Sequence, residues 1–370
     1  MKNMADMLLR PLLLMAVLAG LTACATQQKP YATEVIVRTA ENFHTHDDIV
    51  HFMEVAASSK VAVINLNVKN DEDGAIIPSG YVFYDSKIAP RAAGYHGFDV
   101  LQDVIDEAHK RNIQVRAWIP QFHDKAAIEI NGAWQMKSLV NGDVVPFQGA
   151  GSLEYFVNPL HPEVQAYQRS IIREIVSRYN VDGVVLDWLR FDDFNMDMGD
   201  LTREAYRQRF GVDPVSIDLT TDNEERRQWG EWRTDQIGDY VKAVRDDIKQ
   251  IKPGISLGVY ILPPEFSEVG QDVAKFKDYL DFVSPMAYFR DWGFESRWVY
   301  NDSGILSQTR RKARDTAIVP AFDVHWTDAQ YREIYRGMRD LHPGTESVAF
   351  FLYGKWDDEA MGKVRLLGEW

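Results

Sequence analysis

Apolar residues fall along this chain in two alternating rhythms. Short β-rich apolar runs recur at 35–39, 61–68, 114–122, 183–191, 255–264, 282–289, 317–326 and 347–354. Between most of them the apolar positions return every three to four residues, the spacing of one helix face. Val100, Leu101, Val104, Ile105 and Ala108 form one such stripe. Val164, Tyr167, Ile171, Ile172, Ile175 and Tyr179 form another, opened by Pro162 at a first-turn position. Ile237, Tyr240, Val241, Val244 and Ile248 make a third, and Tyr331, Ile334, Tyr335 and Met338 a fourth. Strand alternating with helix predicts parallel pairing through right-handed crossovers. Eight such units in about 340 residues predict a (β/α)8 TIM barrel. A doubly wound open sheet is the alternative, but it calls for a glycine-rich phosphate loop after the first strand, which this sequence lacks.

The spacing between strands is uneven, and the surplus length follows strands two, three and four. Loops of more than about 12 to 15 residues are usually functional or disordered. Residues 69–97 are rich in Gly, Pro and Tyr, and residues 123–160 carry a predicted hairpin around Asn141-Gly142-Asp143. These insertions are expected to wall one side of the barrel mouth.

The start of the chain is different. Lys2 and Arg10 precede an apolar run from Pro11 to Leu21. It is too short for a membrane span, which needs about 20 residues, and suits the core of a secretory signal. The run ends in Leu21-Thr22-Ala23-Cys24, which resembles the lipobox of bacterial lipoproteins. That resemblance implies lipidation at Cys24 and membrane attachment through the lipid, each buried methylene contributing about 0.8 kcal/mol. With Ala25 rather than an aspartate next, it implies an outer-membrane lipoprotein facing the periplasm or the cell surface. A free thiol behind an ordinary signal peptide is the other reading. The expected plan is a lipoprotein signal peptide over 1–24, a polar linker over 25–33, and the barrel over 34–370. Cys24 is the single cysteine, so disulfides have no part in stability.

The chain carries 41 Lys and Arg against 55 Asp and Glu, a net charge of −14. Loss of residues 1–24 removes Lys2, Arg10 and Asp6, leaving 39 basic and 54 acidic groups and a charge of −15. An acidic surface argues against nucleic acid as a partner, because phosphates demand Lys and Arg clusters. It is compatible with a neutral or cationic ligand.

The ten residues 182–191, Asp-Gly-Val-Val-Leu-Asp-Trp-Leu-Arg-Phe, are the most informative in the chain. Gly183 and an unbroken apolar run read as a buried parallel strand, yet Asp187 sits where that strand should end. A buried carboxylate is costly unless it has a partner or a task, and the carboxyl end of a barrel strand is where active sites are built. Arg38; Asn65 and Asn67; Arg116, Trp118 and Gln121; Arg190 and Asp192; and Tyr260 and Glu265 take similar positions. So do Tyr288, Asp291 and Trp292; Asp323, His325 and Trp326; and Tyr353, Lys355 and Trp356. Indoles that stack on sugar rings, mixed with carboxylates and amides that bind hydroxyls, suit a carbohydrate site. Strand alternation turns Trp188 away from Asp187, towards the core.

Glycoside hydrolysis usually needs two carboxyl groups. Asp187 is the first candidate, with a structural ion pair to Arg38, Arg116 or Arg190 as the alternative. For the second the candidates are Asp323, then Glu265, then Asp192. Asn67, Arg116, Trp118, Arg190, Asp192, Tyr260, Tyr288, Trp292, Trp326, Tyr353, Trp356 and Arg38 are the candidate substrate-binding groups.

The run Asn158-Pro159-Leu160-His161-Pro162-Glu163-Val164, the helix stripe after it, and Tyr179-Asn180-Val181-Asp182-Gly183 through Phe191 resemble the glycosyl-hydrolase-like barrel families of bacteria. Their pattern here is Asn-Pro, a helix, and Asp-Gly-x-x-x-Asp-Tyr-x-Arg-Phe. Asn65-Leu66-Asn67-Val68-Lys69-Asn70-Asp71-Glu72-Asp73-Gly74 and residues 279–288 agree with it. The latter are also similar to the Met-x-Tyr strand of family-18 chitinases, although the chitinase Asp-x-x-Asp-x-Asp-x-Glu signature is absent. The resemblance covers about residues 33–356. It implies a hydrolase of O-glycosyl bonds in which Asp187 is the strand-four acid and Arg190 and Tyr288 line the pocket, with Trp188 in place of the usual tyrosine. Together with the lipobox it also resembles lipoprotein hydrolases that process amino-sugar exopolysaccharides. The expected partner is a polysaccharide or oligosaccharide. The rival expectation is a polysaccharide-binding lipoprotein that keeps the barrel without the catalytic pair.

Other constellations carry less. His44-Thr45-His46 stands where metal-dependent hydrolase barrels place a histidine pair, but strands five, six and eight supply no further histidine. It runs into Asp47-Asp48, acids suited to a helix start. Ser284 lacks the G-x-S-x-G elbow. No metal or cofactor is predicted.

Overall fold

The computed structural model describes residues 30–74, 76–147 and 155–368. The signal segment, Cys24 and most of the expected linker lie outside these residues. The barrel begins slightly earlier than expected: β1 spans Ala32–Val37, so its first two residues fall in the stretch read as linker. Its entry is fixed because the Ala32 amide donates to the Glu346 carbonyl at 2.9 Å and the Tyr31 ring packs 5.4 Å from Tyr335.

The remaining strands are β2 (Val61–Asn67), β3 (Gln114–Pro120), β4 (Lys137–Val140), β5 (Asp143–Pro146), β6 (Gly183–Asp187), β7 (Ser256–Ile261), β8 (Phe282–Pro285), β9 (Ala317–Ile318), β10 (Ala321–Asp323) and β11 (Ser347–Phe351). Nine of them form one parallel sheet in the order β10-β11-β1-β2-β3-β6-β7-β8-β9. The two ends of that order are halves of one run. β9 pairs with β8 and β10 with β11, so the sheet closes on itself as eight staves. The seventh stave, expected as one strand over 317–326, is broken at Val319-Pro320, because proline has no N–H to give the ladder. Its carbonyl still accepts from the Ala349 amide at 2.9 Å. The chain folds as the (β/α)8 barrel.

β4 and β5 form the expected antiparallel hairpin. Asn141 and Gly142 both take positive φ, 52° and 91°, as the two-residue turn that matches strand twist requires. The helices follow their predicted stripes: Val100–His109, Pro162–Arg178, Glu224–Ile251 and Asp328–Leu341. Thr45 and Asp48 form a capping box for the helix His46–Ser58, so the His44-Thr45-His46 run opens a helix. Among the described residues no helix is long and apolar enough to cross a membrane.

Side chains alternate along each stave. Val35, Val37, Ile64, Leu66, Val184 and Leu186 face outward into the large core under the helices, while Ile36, Trp118, Val185, Tyr260, Phe282 and Phe351 pack inside the barrel. The interior is plugged at its lower end. Glu34 accepts from Arg116 at 2.7 Å and from Asn65 at 3.1 Å, and the Arg116 guanidinium lies 4.4 Å over the Phe282 ring. Phe282 in turn fills the space beside Gly258, where a Cβ would fall 2.1 Å from its Cζ. That packed floor leaves the open volume at the carboxyl ends of the strands.

Candidate active site at the barrel mouth

β6 ends at Asp187 because the next residue leaves the extended region: Trp188 has φ +47°, uncommon for a residue with a bulky side chain. The turn lets the Trp188 amide donate to Asp187 Oδ1 at 2.8 Å. From the neighbouring stave the Trp118 indole N–H donates to Asp187 Oδ2, also at 2.8 Å. Asp187 is only 6% exposed, yet it borders a cavity of about 420 Å³, within the usual range for a small-molecule site. Burial pushes its carboxyl up to about 6, and the charge of Asp71 adds to the rise. The Trp188 amide, the Trp118 indole and Arg190 oppose it. Its two hydrogen bonds therefore steady the carboxyl without neutralising it.

The floor around Asp187 is aromatic. Trp118 meets Tyr260 and Phe351 edge-on with centroids 6.0 and 6.1 Å apart, and Tyr288 stacks on Phe351 at 6.0 Å. Tyr353 continues this surface outward, 4.6 Å from Phe351 and 60% exposed. On the opposite flank the Trp188 ring is held between the Arg190 guanidinium, at 4.5 Å, and the His123 ring, at 4.3 Å. The two long loops brace this wall. Asp73, from the loop after β2, pairs with His123, from the loop after β3, at 2.7 Å. Phe156 lies 5.8 Å from Trp188.

Among the expected site residues, Asp187, Arg38, Trp118, Arg190, Tyr260, Tyr288, Trp292 and Tyr353 line this one cavity. Others are placed elsewhere. Arg116 sits a layer deeper, tied to Glu34. Asn67 is fully buried on β2, and neither of its side-chain polar atoms has a partner among the described residues. Trp326 is enclosed by Phe289, Phe322 and Tyr331. Trp356 is buried and donates to the Ile36 carbonyl at 3.0 Å. Both indoles therefore belong to the core, because the chain turns outward after β10 and β11 and carries their rings beneath it.

The three second carboxylates named from sequence do not line the cavity. Asp323 accepts from the His325 amide at 2.8 Å, and Glu265 from the Trp298 indole at 2.9 Å and Gln308 at 2.6 Å. Asp192 pairs with Arg190 at 2.7 Å. The carboxylates that share the cavity with Asp187 are Asp71 and Asp291. Asp71 is gripped by Arg38, whose Nη2 donates to Oδ2 at 2.7 Å and whose Nε lies 3.2 Å from both oxygens. Although burial works against its charge, the neighbouring Asp71 carboxylate keeps the Arg38 guanidinium protonated beyond its ordinary range. Asp291 stands exposed at the rim; burial and then the charge of Asp323 raise its carboxyl. Trp188, expected to face the core, packs against it beside Phe156 and also lines the cavity, since alternation holds only while the backbone stays extended.

Barrel, buried acid and aromatic mouth together define the class: a glycoside-hydrolase-like (β/α)8 protein. The comparisons with known proteins agree. Residues 45–294 match the Glycosyl hydrolase-like 10 family, and the chain belongs to that family. Over 204 residues it is 28% identical to the glycosyl hydrolase DigH of Escherichia coli K12, an alignment that spans 49% of this chain and 42% of that protein. The chain thus matches less than half the length of that relative. Among solved structures, the PgaB (BpsB) glycoside hydrolase domain from Bordetella bronchiseptica superposes with a TM-score of 0.71 at 15% identity, covering 92% of this chain and 98% of the domain. The α-L-fucosidase isoenzyme 2 from Paenibacillus thiaminolyticus gives 0.64 at 15% identity, over 92% of this chain and 49% of that one. At such identities the structural likeness speaks for the fold.

Proposed function

We propose that the protein hydrolyses O-glycosyl bonds of a bacterial polysaccharide, with Asp187 as the general acid. The observation that carries this reading is a buried carboxyl at the end of the fourth stave, raised by burial and opening into an aromatic cavity of about 420 Å³. In the reaction Asp187 gives its proton to the glycosidic oxygen as the C1–O bond breaks. The bond pair passes to that oxygen, and water completes the anomeric carbon with loss of a proton. An acid that titrates near the working pH suits this step. The aromatic walls offer stacking surfaces to sugar rings.

Asp291 at the open rim and the net charge of −14 favour a neutral or cationic glycan, such as a partly deacetylated amino-sugar polymer. Attachment through a lipid on Cys24 would place the barrel at the outer membrane, facing the periplasm or the cell surface. Membrane fractionation of the wild type and Cys24→Ala reads that placement, with release of the variant into the soluble fraction as the expected result.

One observation favours a second reading, a barrel that binds a polysaccharide without cutting it. None of Asp323, Glu265 and Asp192 lines the cavity: Asp323 and Glu265 are held by groups away from it, and Asp192 pairs with Arg190 from outside the lining. A screen of the soluble protein, residues 25–370, against bacterial exopolysaccharides and cell-envelope glycans separates the two, with product mass as the readout. Release of oligosaccharides supports hydrolysis, and saturable binding with no product supports the binding protein. Equal affinity for acetylated and deacetylated polymers at low and high salt would remove the argument from charge.

A further inference from the structure

The sequence offers no reason to choose Asp71 from the acidic run Asp71-Glu72-Asp73, and the structure does. Its carboxylate reaches the same cavity as Asp187 yet is only 2% exposed. The two acids have opposite surroundings. Asp71 receives the fork of Arg38, which is itself held between the Phe351 and Tyr353 rings, 5.1 Å from each centroid. Arg38 also reaches Glu72 at 2.8 Å. Among the described residues the Asp187 carboxyl accepts hydrogen bonds from an indole and an amide N–H, neither of them charged. Two buried carboxyls that share a site cannot both ionise cheaply, and the better-compensated one keeps the charge. Asp71 has the cationic fork of Arg38, and Asp187 has no such fork.

We propose that Asp71, fixed by Arg38, is the positioning residue that keeps a proton on Asp187. Asp71 does not itself attack or protonate the sugar; its charge decides which carboxyl arrives at the glycosidic oxygen loaded. The other titratable groups facing Asp187 leave this assignment in place. Arg190, on its own loop, works against the proton, and Tyr260 on β7 and Tyr288 after β8 are both held neutral by burial. Asp291 stands farther out on the rim and is exposed. The proposal rests on the reading of Asp187 as the acid of a glycosidase, but it can be tested without a substrate.

The Trp118 indole N–H donates to Asp187, so its ¹⁵N–¹H resonance, assigned through Trp118→Phe, reports the titration of that carboxyl. In the wild type the midpoint is expected at about 6. In Asp71→Asn, and in Asp71→Ser as a second neutral variant of different size, the midpoint should fall by roughly one pH unit. The protonated fraction at pH 7 then drops about tenfold. In Asp71→Glu, which restores the charge, the midpoint should return towards the wild-type value. An unchanged midpoint in the folded neutral variants overturns the proposal. On a cleaved glycan, the basic limb of kcat/KM should move with the same midpoint. If the wild type cleaves nothing, the glycosidase reading fails while the titration still decides the role of Asp71.

Discussion

Replacing Asp187 with asparagine should relieve an ionisation cost of the folded protein near neutral pH while disabling its chemistry. The carboxyl rises from 3.8 to about 6 on folding, which corresponds to roughly 3 kcal/mol of ionisation cost in the native state. Between those two values the folded chain binds more protons than the unfolded one, so this residue's contribution to stability falls as pH rises through about 6. Below 3.8 the contribution is neutral. Asparagine removes the charge but meets the Trp118 and Trp188 donors with a single acceptor, at a cost of about 1–3 kcal/mol for the unpaired donor. That mismatch is present at every pH. The difference between the mutational effect at pH 7.5 and at pH 4 therefore isolates the electrostatic part, expected at about 2–3 kcal/mol in favour of Asp187→Asn at the higher pH. Urea denaturation of residues 25–370 and of the variant at both pH values measures it. A mutational effect that does not change with pH would show that Asp187 ionises as freely in the fold as in water, and the argument from burial would fail.

Other outcomes follow from the same geometry. Trp118→Phe removes an N–H that favours the charged form, so Asp187 should titrate above about 6, read from the basic limb of the pH–rate profile. Trp188→Ala removes one wall of the cavity and should weaken oligosaccharide binding by roughly 0.5–1.5 kcal/mol, measured by calorimetry, with a smaller change in kcat. Gly258→Ala drives a methyl into the Phe282 ring and should cost about 1–3 kcal/mol of stability, read as a lower urea midpoint. Trp326→Phe and Trp356→Phe should alter stability and leave glycan affinity unchanged, since neither indole reaches the cavity.

Much of this architecture could be read from the chain because single residues carried clear signals. The apolar run after Gly183 read as a buried parallel strand, and a carboxylate closing it marked the site. Asn141-Gly142 specified a two-residue turn, and Pro162 marked a helix start. The site was less legible where its geometry depends on backbone torsion or distant partners. Trp188 enters the cavity through a left-handed residue, which a strict two-residue alternation cannot anticipate. Asp71 stands in a row of three acids and is singled out only by the fork of Arg38, 33 positions away. Trp326 and Trp356 share the composition of a sugar-binding mouth, but the chain leaves the barrel after β10 and β11 and buries them. Arg116 lies one layer too deep to reach a ligand, since strand periodicity gives the face and not the depth, and Asn67, level with Trp118, is fully buried.

The most direct measurement is the release of reducing ends from a glycan that the protein binds, by wild type and by Asp187→Asn side by side at pH 6. Loss of a general acid predicts a fall of about 10²- to 10⁴-fold in kcat with binding retained. Equal turnover by the two proteins would contradict the role given to Asp187, and tight binding with no turnover by the wild type would contradict hydrolysis itself.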